Sequence, residues 1–76
     1  MLKFYAFIEN GMVQNIVPCH GKDDAIENAR LQYDNPIVIE IGTSNCNLMI
    51  GDKYENGIFY HFDYVTEDWI SVKNEV

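Results

Sequence analysis

A chain of 76 residues makes a single domain, 1–76, close to the smallest size that folds without disulfides, metals or oligomerisation. Apolar residues at 47% and aromatics at 13% exclude a disordered tail. Twelve acids against five bases leave a formal charge of −7, which excludes the basic footprint of a nucleic-acid binder and suits the steering of a basic protein partner.

Phe4–Val17 reads as a β-hairpin turning at Asn10-Gly11, because a type I′ turn needs positive φ at both central residues. That register sets Ile8 opposite Val13, Ala6 opposite Asn15 and Phe4 opposite Val17, with Tyr5, Phe7, Met12 and Ile16 together on the other face. Pro18-Cys19-His20-Gly21 breaks the hairpin, and a helix of about three turns follows from Lys22 to Asn35. Asp24 and Glu27 have capping-box spacing. Ala25, Ile26, Ala29 and Tyr33 form its apolar stripe, with Leu31 pointing away.

Ile37–Ile41 is the clearest strand. After the polar loop Gly42–Asn47, Leu48-Met49-Ile50 reads as a short strand or buried edge. Asn56-Gly57 closes a second hairpin that sets Tyr54 opposite Phe59 and Asp52 opposite His61. Thr66 is in position to cap a short C-terminal helix, with Glu67 and Asp68 at its positive end and Trp69 and Ile70 packing inward. The expected fold is α+β, in the order β-β-α-β-(β)-β: a small, mainly antiparallel sheet, one helix packed across it and a short C-terminal helix.

No stretch approaches the roughly 20 apolar residues that span a bilayer. The start, Met1–Phe7, lacks the apolar core of a signal peptide, so a cytoplasmic protein is expected. Cys19, His20, Cys46 and His61 are possible zinc ligands, but they lack the close ligand pairs of structural sites, so no metal and no cofactor are expected. His61, oriented by Asp52 and approached by Cys46, could form a nucleophile pair. The simpler reading is a cross-strand polar pair in a domain with little volume for a cleft of about 300 Å³. The protein is therefore not expected to be an enzyme, and a small cysteine or metal hydrolase has the least support.

Tyr5, Phe7, Tyr54, Phe59, Tyr60, Phe62, Tyr64 and Trp69 exceed what one helix on one sheet can bury. They are either anchors for a partner or are covered by the C-terminal segment. Asp63, Glu67 and Asp68 make the one tight acidic cluster outside the helix.

The segments Tyr5–Val17 and Ile50–Phe59 resemble small accessory proteins of phages and prophages, of the tail-module type. The matching residues are Tyr5, Gly11, Val13, Asn15, Ile16 and Val17, then Ile50, Gly51, Asp52, Tyr54, Asn56, Gly57 and Phe59. The tail from Asp63 to Val76 departs from that pattern. The resemblance implies a phage origin and a non-enzymatic role, and with a phage origin the cytoplasm expected above is that of the host cell.

The leading expectation is an acidic module that docks stoichiometrically on a host protein and inhibits a host function such as antiviral defence. The alternative is a structural accessory of the phage tail, located in the virion. The expected partner-binding residues are Tyr5, Phe7, Met12 and Ile16, which would also form a homodimer interface, together with Asp63, Tyr64, Glu67, Asp68 and Trp69. Neither nucleic acid nor membrane is an expected partner.

Overall fold

A computed structural model describes residues 2–43 and 48–72. They form β1 (Lys3–Glu9), β2 (Met12–Cys19), α1 (Lys22–Gln32), β3 (Ile37–Gly42), β4 (Lys53–Glu55), β5 (Ile58–Asp63) and β6 (Asp68–Ser71). The fold is α+β, with one helix and a six-stranded antiparallel sheet in the order β3-β1-β2-β4-β5-β6.

Both Asn-Gly turns have the expected backbone. Asn10 and Gly11 lie at φ 56° and 76°, and Asn56 and Gly57 at 52° and 81°. The glutamate before the first turn has a separate task. Glu9 Oε1 accepts the backbone N–H of Asp34 and of Asn35, each at 3.1 Å, and so ties the loop after the helix to the end of β1.

The register of the first hairpin is corrected beyond its turn. Ile8 does face Val13, but an irregularity between Phe7 and Ile8 sets Phe7 opposite Asn15, Ala6 opposite Ile16 and Tyr5 opposite Val17. Gln14 is the extra residue of a β-bulge, which a pattern of side chains does not reveal. The slip moves Ile16 to the face of Ala6 and Ile8, away from Tyr5 and Phe7.

Helix α1 starts earlier than the capping-box spacing implied. Gly21 is its N-cap and provides no side chain, while Asp23 and Asp24 sit in the positively polarised first turn. Asp24 Oδ2 instead reaches back to the His20 N–H at 3.4 Å. Ala25 and Ala29 are buried, and their small side chains let the helix approach the sheet closely. Tyr5, Phe7, Cys19 and Val38 complete this core, with Val17, Ile26 and Tyr33 packed against it, and Leu31 points outward as expected.

The second face of β1 and β2 has its own cover. Ala6, Ile8 and Val13 bury against Leu48 and Phe59, with Tyr54, Ile16, Ile39, Ile41 and Val72 around them. The join between β2 and β4 is narrow, with Met12 opposite Lys53 as the one register pair among the described residues. Three backbone bonds flank it: Val13 N–H to Asp52 O at 2.8 Å, Gly51 N–H to Val13 O at 2.8 Å and Tyr54 N–H to Gly11 O at 2.7 Å. Leu48-Met49-Ile50 is not a strand; Leu48 is buried and the chain then turns at Ile50-Gly51.

The expected C-terminal helix is a strand. Tyr64–Glu67 forms a turn and Glu67 reverses the chain at φ 57°, so Thr66 caps no helix. Beyond it, Trp69 and Ile70 alternate across the sheet, opposite Phe62 and His61. An aromatic residue meeting an aromatic cross-strand partner stabilises a strand here.

Candidate docking surface

The two faces of the β5–β6 hairpin carry different chemistry. On one, Phe62 packs edge-on against Tyr64 at 4.9 Å and Trp69 at 5.2 Å between ring centroids. Lys53, opposite Tyr60 on β4, holds its Nζ 5.2 Å from the Tyr60 ring and 5.1 Å from the Trp69 ring. Its charge also lies 3.9 Å from Glu55.

The other face is built around Asp52. Its carboxylate is 2% exposed, and both oxygens are used: Oδ1 lies 2.8 Å from His61 Nδ1, and Oδ2 accepts the Met49 N–H at 2.9 Å. Its backbone N–H donates to Met49 O at 3.1 Å. The Asp52–His61 pairing read from the register is thus present, and it anchors the turn that starts β4. A carboxylate only accepts, so His61 Nδ1 is the donor of this bond, from a ring that is half-exposed.

Exposed apolar side chains surround this pair. A shallow depression of about 370 Å³ is lined by His61, Phe62, Asp63, Tyr64, Val65, Ile70 and Ser71. A smaller one of about 150 Å³ adjoins it at Met49, Ile50, Gly51 and Asp52. Tyr64 is 83% and Val65 92% exposed at the tip, and Met49, Ile50 and Ile70 are exposed as well. Asp63 faces Asp68 directly across the strands, a like-charge pair that weakens the hairpin, and Glu67 stands beside them. Asp63 Oδ1 accepts the Val65 N–H at 2.9 Å, and Asp68 Oδ1 accepts the Trp69 N–H at 3.1 Å.

The residues expected to bind a partner are therefore split. Asp63, Tyr64, Glu67, Asp68 and Trp69 come together at this tip, with Trp69 half-buried. Tyr5 and Phe7 are buried beneath α1, and Met12 and Ile16 are half-buried on opposite faces, so these four do not make one exposed patch. The proposed dimer interface at these residues is corrected accordingly; the helix and the second hairpin already cover them. Sequence reasoning missed Val65, Ile70, Met49 and Ile50 as exposed members of the surface. A strand in place of the C-terminal helix would have pointed to Ile70.

The remaining chemical candidates are dispersed. Cys46 lies outside the described residues. Among the described residues no three of His, Cys, Asp and Glu are grouped to hold a metal. Cys19 is buried under the helix, and burial, with Asp24 nearby, pushes its thiol pKa up against a weak hydrogen bond from Asn28. Burial and the adjacent Glu40 carboxylate likewise raise Tyr5. Depressions of about 430 and 450 Å³ elsewhere are open surface features. Among the described residues the smaller depression, beside Asp52 and His61, is lined by no serine, cysteine or lysine, while the larger one includes Ser71. Among the described residues no helix is long and apolar enough to cross a membrane. The chain matches no family model, no curated protein and no solved structure.

Proposed function

We propose that the protein is a small phage-type binding module that docks stoichiometrically on a basic surface of a host protein and inhibits it, acting in the host cytoplasm without catalysis. The observation that carries this reading is the hairpin tip, where Tyr64 and Val65 stand 83% and 92% exposed among Asp63, Glu67 and Asp68. Large apolar side chains held out in water by a defined turn contribute nothing to the chain's own core. They are the kind of residue that anchors an interface, and the acids around them supply charge steering. The phage origin rests on the residue pattern of the two hairpins, and antiviral defence is the host function proposed as the target.

The test is capture from a bacterial host lysate, identification of the retained protein, and binding kinetics with that protein at two salt concentrations. Tyr64→Ala and Val65→Ser should raise the off-rate at least about tenfold while the fold is kept. Unchanged kinetics for both variants would refute docking at this tip. Loss of a measured hydrolytic activity on Cys46→Ser, with binding intact, would replace docking by catalysis. The alternative, a structural accessory of the phage tail, draws support from the open edges of the sheet, since β3 and β6 each have one neighbour among the described strands. Tail genes on both sides of the coding sequence would favour it.

A further inference from the structure

We infer that the edge of β3 with no neighbour among the described strands pairs with the same edge of a second copy, in one register centred on Ile39. This inference is independent of the docking surface, which lies at the opposite end of the sheet.

The backbone determines which groups face outward. Val13 directs both its N–H and its C=O towards Asp52 and Gly51, away from β1. Its partner Ile8 is therefore in a non-hydrogen-bonded pair across β1 and β2, and the Ile8 backbone groups point to β3 instead. Ile8 pairs with Ile37 and Ala6 with Ile39, so these two residues of β3 bond inward. Val38 and Glu40 then present their N–H and C=O at the open edge. Between Ile37 and Glu40 that edge has no lysine, proline or bulge, and of the devices that ordinarily block strand addition it carries only the charge of Glu40. The bulge of this strand comes later, at Ile41, opposite the Phe4–Tyr5 step.

Three antiparallel registers would join outward residues about a twofold axis. Pairing Val38 with Val38 sets Glu40 against Pro36, which has no N–H to give. Pairing Glu40 with Glu40 sets like charges directly opposite. Pairing Val38 with Glu40 uses the backbone groups of both residues in both copies. It also stacks Ile39 on Ile39 and Ile37 against Ile41, all on the face away from the helix. Ile37 is 49% exposed in the single chain and gains cover from Ile41 of the other copy in this arrangement. Glu40 stands beside Val38 of the other copy and keeps its own Lys3 at 3.6 Å. Pairing one short strand from each copy makes a small interface, so association should be weak and concentration-dependent. Each copy carries −7, so added salt strengthens it, the reverse of its effect on charge-steered docking.

The experiment is sedimentation of the full chain over a wide concentration range at low and high salt, paired with cysteine cross-linking in a Cys46→Ser background. Residues facing each other in a non-hydrogen-bonded pair have Cα atoms about 4.5 Å apart, within disulfide reach. Ile39→Cys should therefore cross-link into a covalent dimer under mild oxidation. Ile37→Cys should not, because its counterpart lies about 14 Å away along the strands. Ile37→Lys, at an exposed position, should leave the fold intact and weaken association at least about tenfold. A monomer at every concentration and salt would overturn the inference. So would a dimer that survives Ile37→Lys, or equal cross-linking at both positions.

Discussion

Replacing Asp52 by alanine tests whether one buried carboxylate holds the second half of the sheet in place. The change strands two donors, the Met49 N–H that met Oδ2 at 2.9 Å and the His61 ring nitrogen that met Oδ1 at 2.8 Å. Hydrogen bonds to a charged group are each worth about 1.5–3 kcal/mol, and relief from burying the carboxylate offsets part of the loss, which leaves a cost of about 2–4 kcal/mol. A domain of this length holds roughly 4–11 kcal/mol in all, so the loss is a large fraction of it. The melting temperature should fall by roughly 10–25 °C. Asp52→Asn separates shape from acceptor count. Its amide oxygen can keep the Met49 bond while its NH2 donates to a His61 ring that has switched tautomer, at a cost of about 1 kcal/mol. Urea unfolding of the wild type and both variants, fitted with a common slope, is the assay. A cost for Asp52→Ala below about 0.5 kcal/mol, or equal costs for alanine and asparagine, would refute the reasoning.

Gly→Val at either hairpin turn should destabilise by about 1–2 kcal/mol. The cost comes from positive φ at both glycines, 76° at Gly11 and 81° at Gly57, since a Cβ at Gly11 makes only an ordinary contact with Tyr54 O at 3.7 Å and one at Gly57 meets open space; thermal melts of the two variants check it. Cys19 and Tyr5 are both raised from ordinary values of 9.0 and 10.0, so each protonated form favours the fold. That contribution is complete below those values and is lost as pH rises through the folded ones, so urea stability should decline above pH 9. At neutral pH, Cys19 should react with a thiol reagent only as fast as the domain opens. Changing Asp63, Glu67 and Asp68 to amides should slow association with the captured partner and flatten its salt dependence. It should also stabilise the hairpin by a few tenths of a kcal/mol, because the Asp63–Asp68 repulsion disappears while both Oδ1 acceptors remain; a melt checks the sign.

The turns, the helix stripe and the Asp52–His61 pairing were legible in the sequence because each is a local rule with one satisfactory answer. Asn-Gly demands positive φ, and Ala25, Ile26, Ala29 and Tyr33 share a face only in a helix. Where the reading failed, a nonlocal or degenerate cause won. The bulge at Gln14 leaves no compositional trace, yet it moved Ile16 to the other face. Thr66-Glu67-Asp68 has the make-up of a helix start, but Glu67 took a left-handed conformation and Phe62 offered Trp69 a cross-strand partner. The candidate surface was half legible. Its acids and Tyr64 were named in advance, while Val65, Ile70, Met49 and Ile50 became members only through the strand and the turn that expose them.

The narrow join between β2 and β4 has a bearing on how the molecule breathes. Its hydrogen bonds are those of Val13, Gly51 and Tyr54, and on either side of it the strands are held by longer ladders. Opening should therefore occur as one event in which β4, β5 and β6 swing off together, and the amide protons of Val13, Gly51 and Tyr54 should exchange with solvent at one shared rate, ahead of those in β1. During that excursion Ala6, Ile8 and Val13 lose Phe59, and a sticky apolar sheet face meets water. Asp52, which accepts the Val13 N–H through its backbone and secures His61 through its side chain, ties both sides of the join, so its loss should make that aggregation-prone state more frequent.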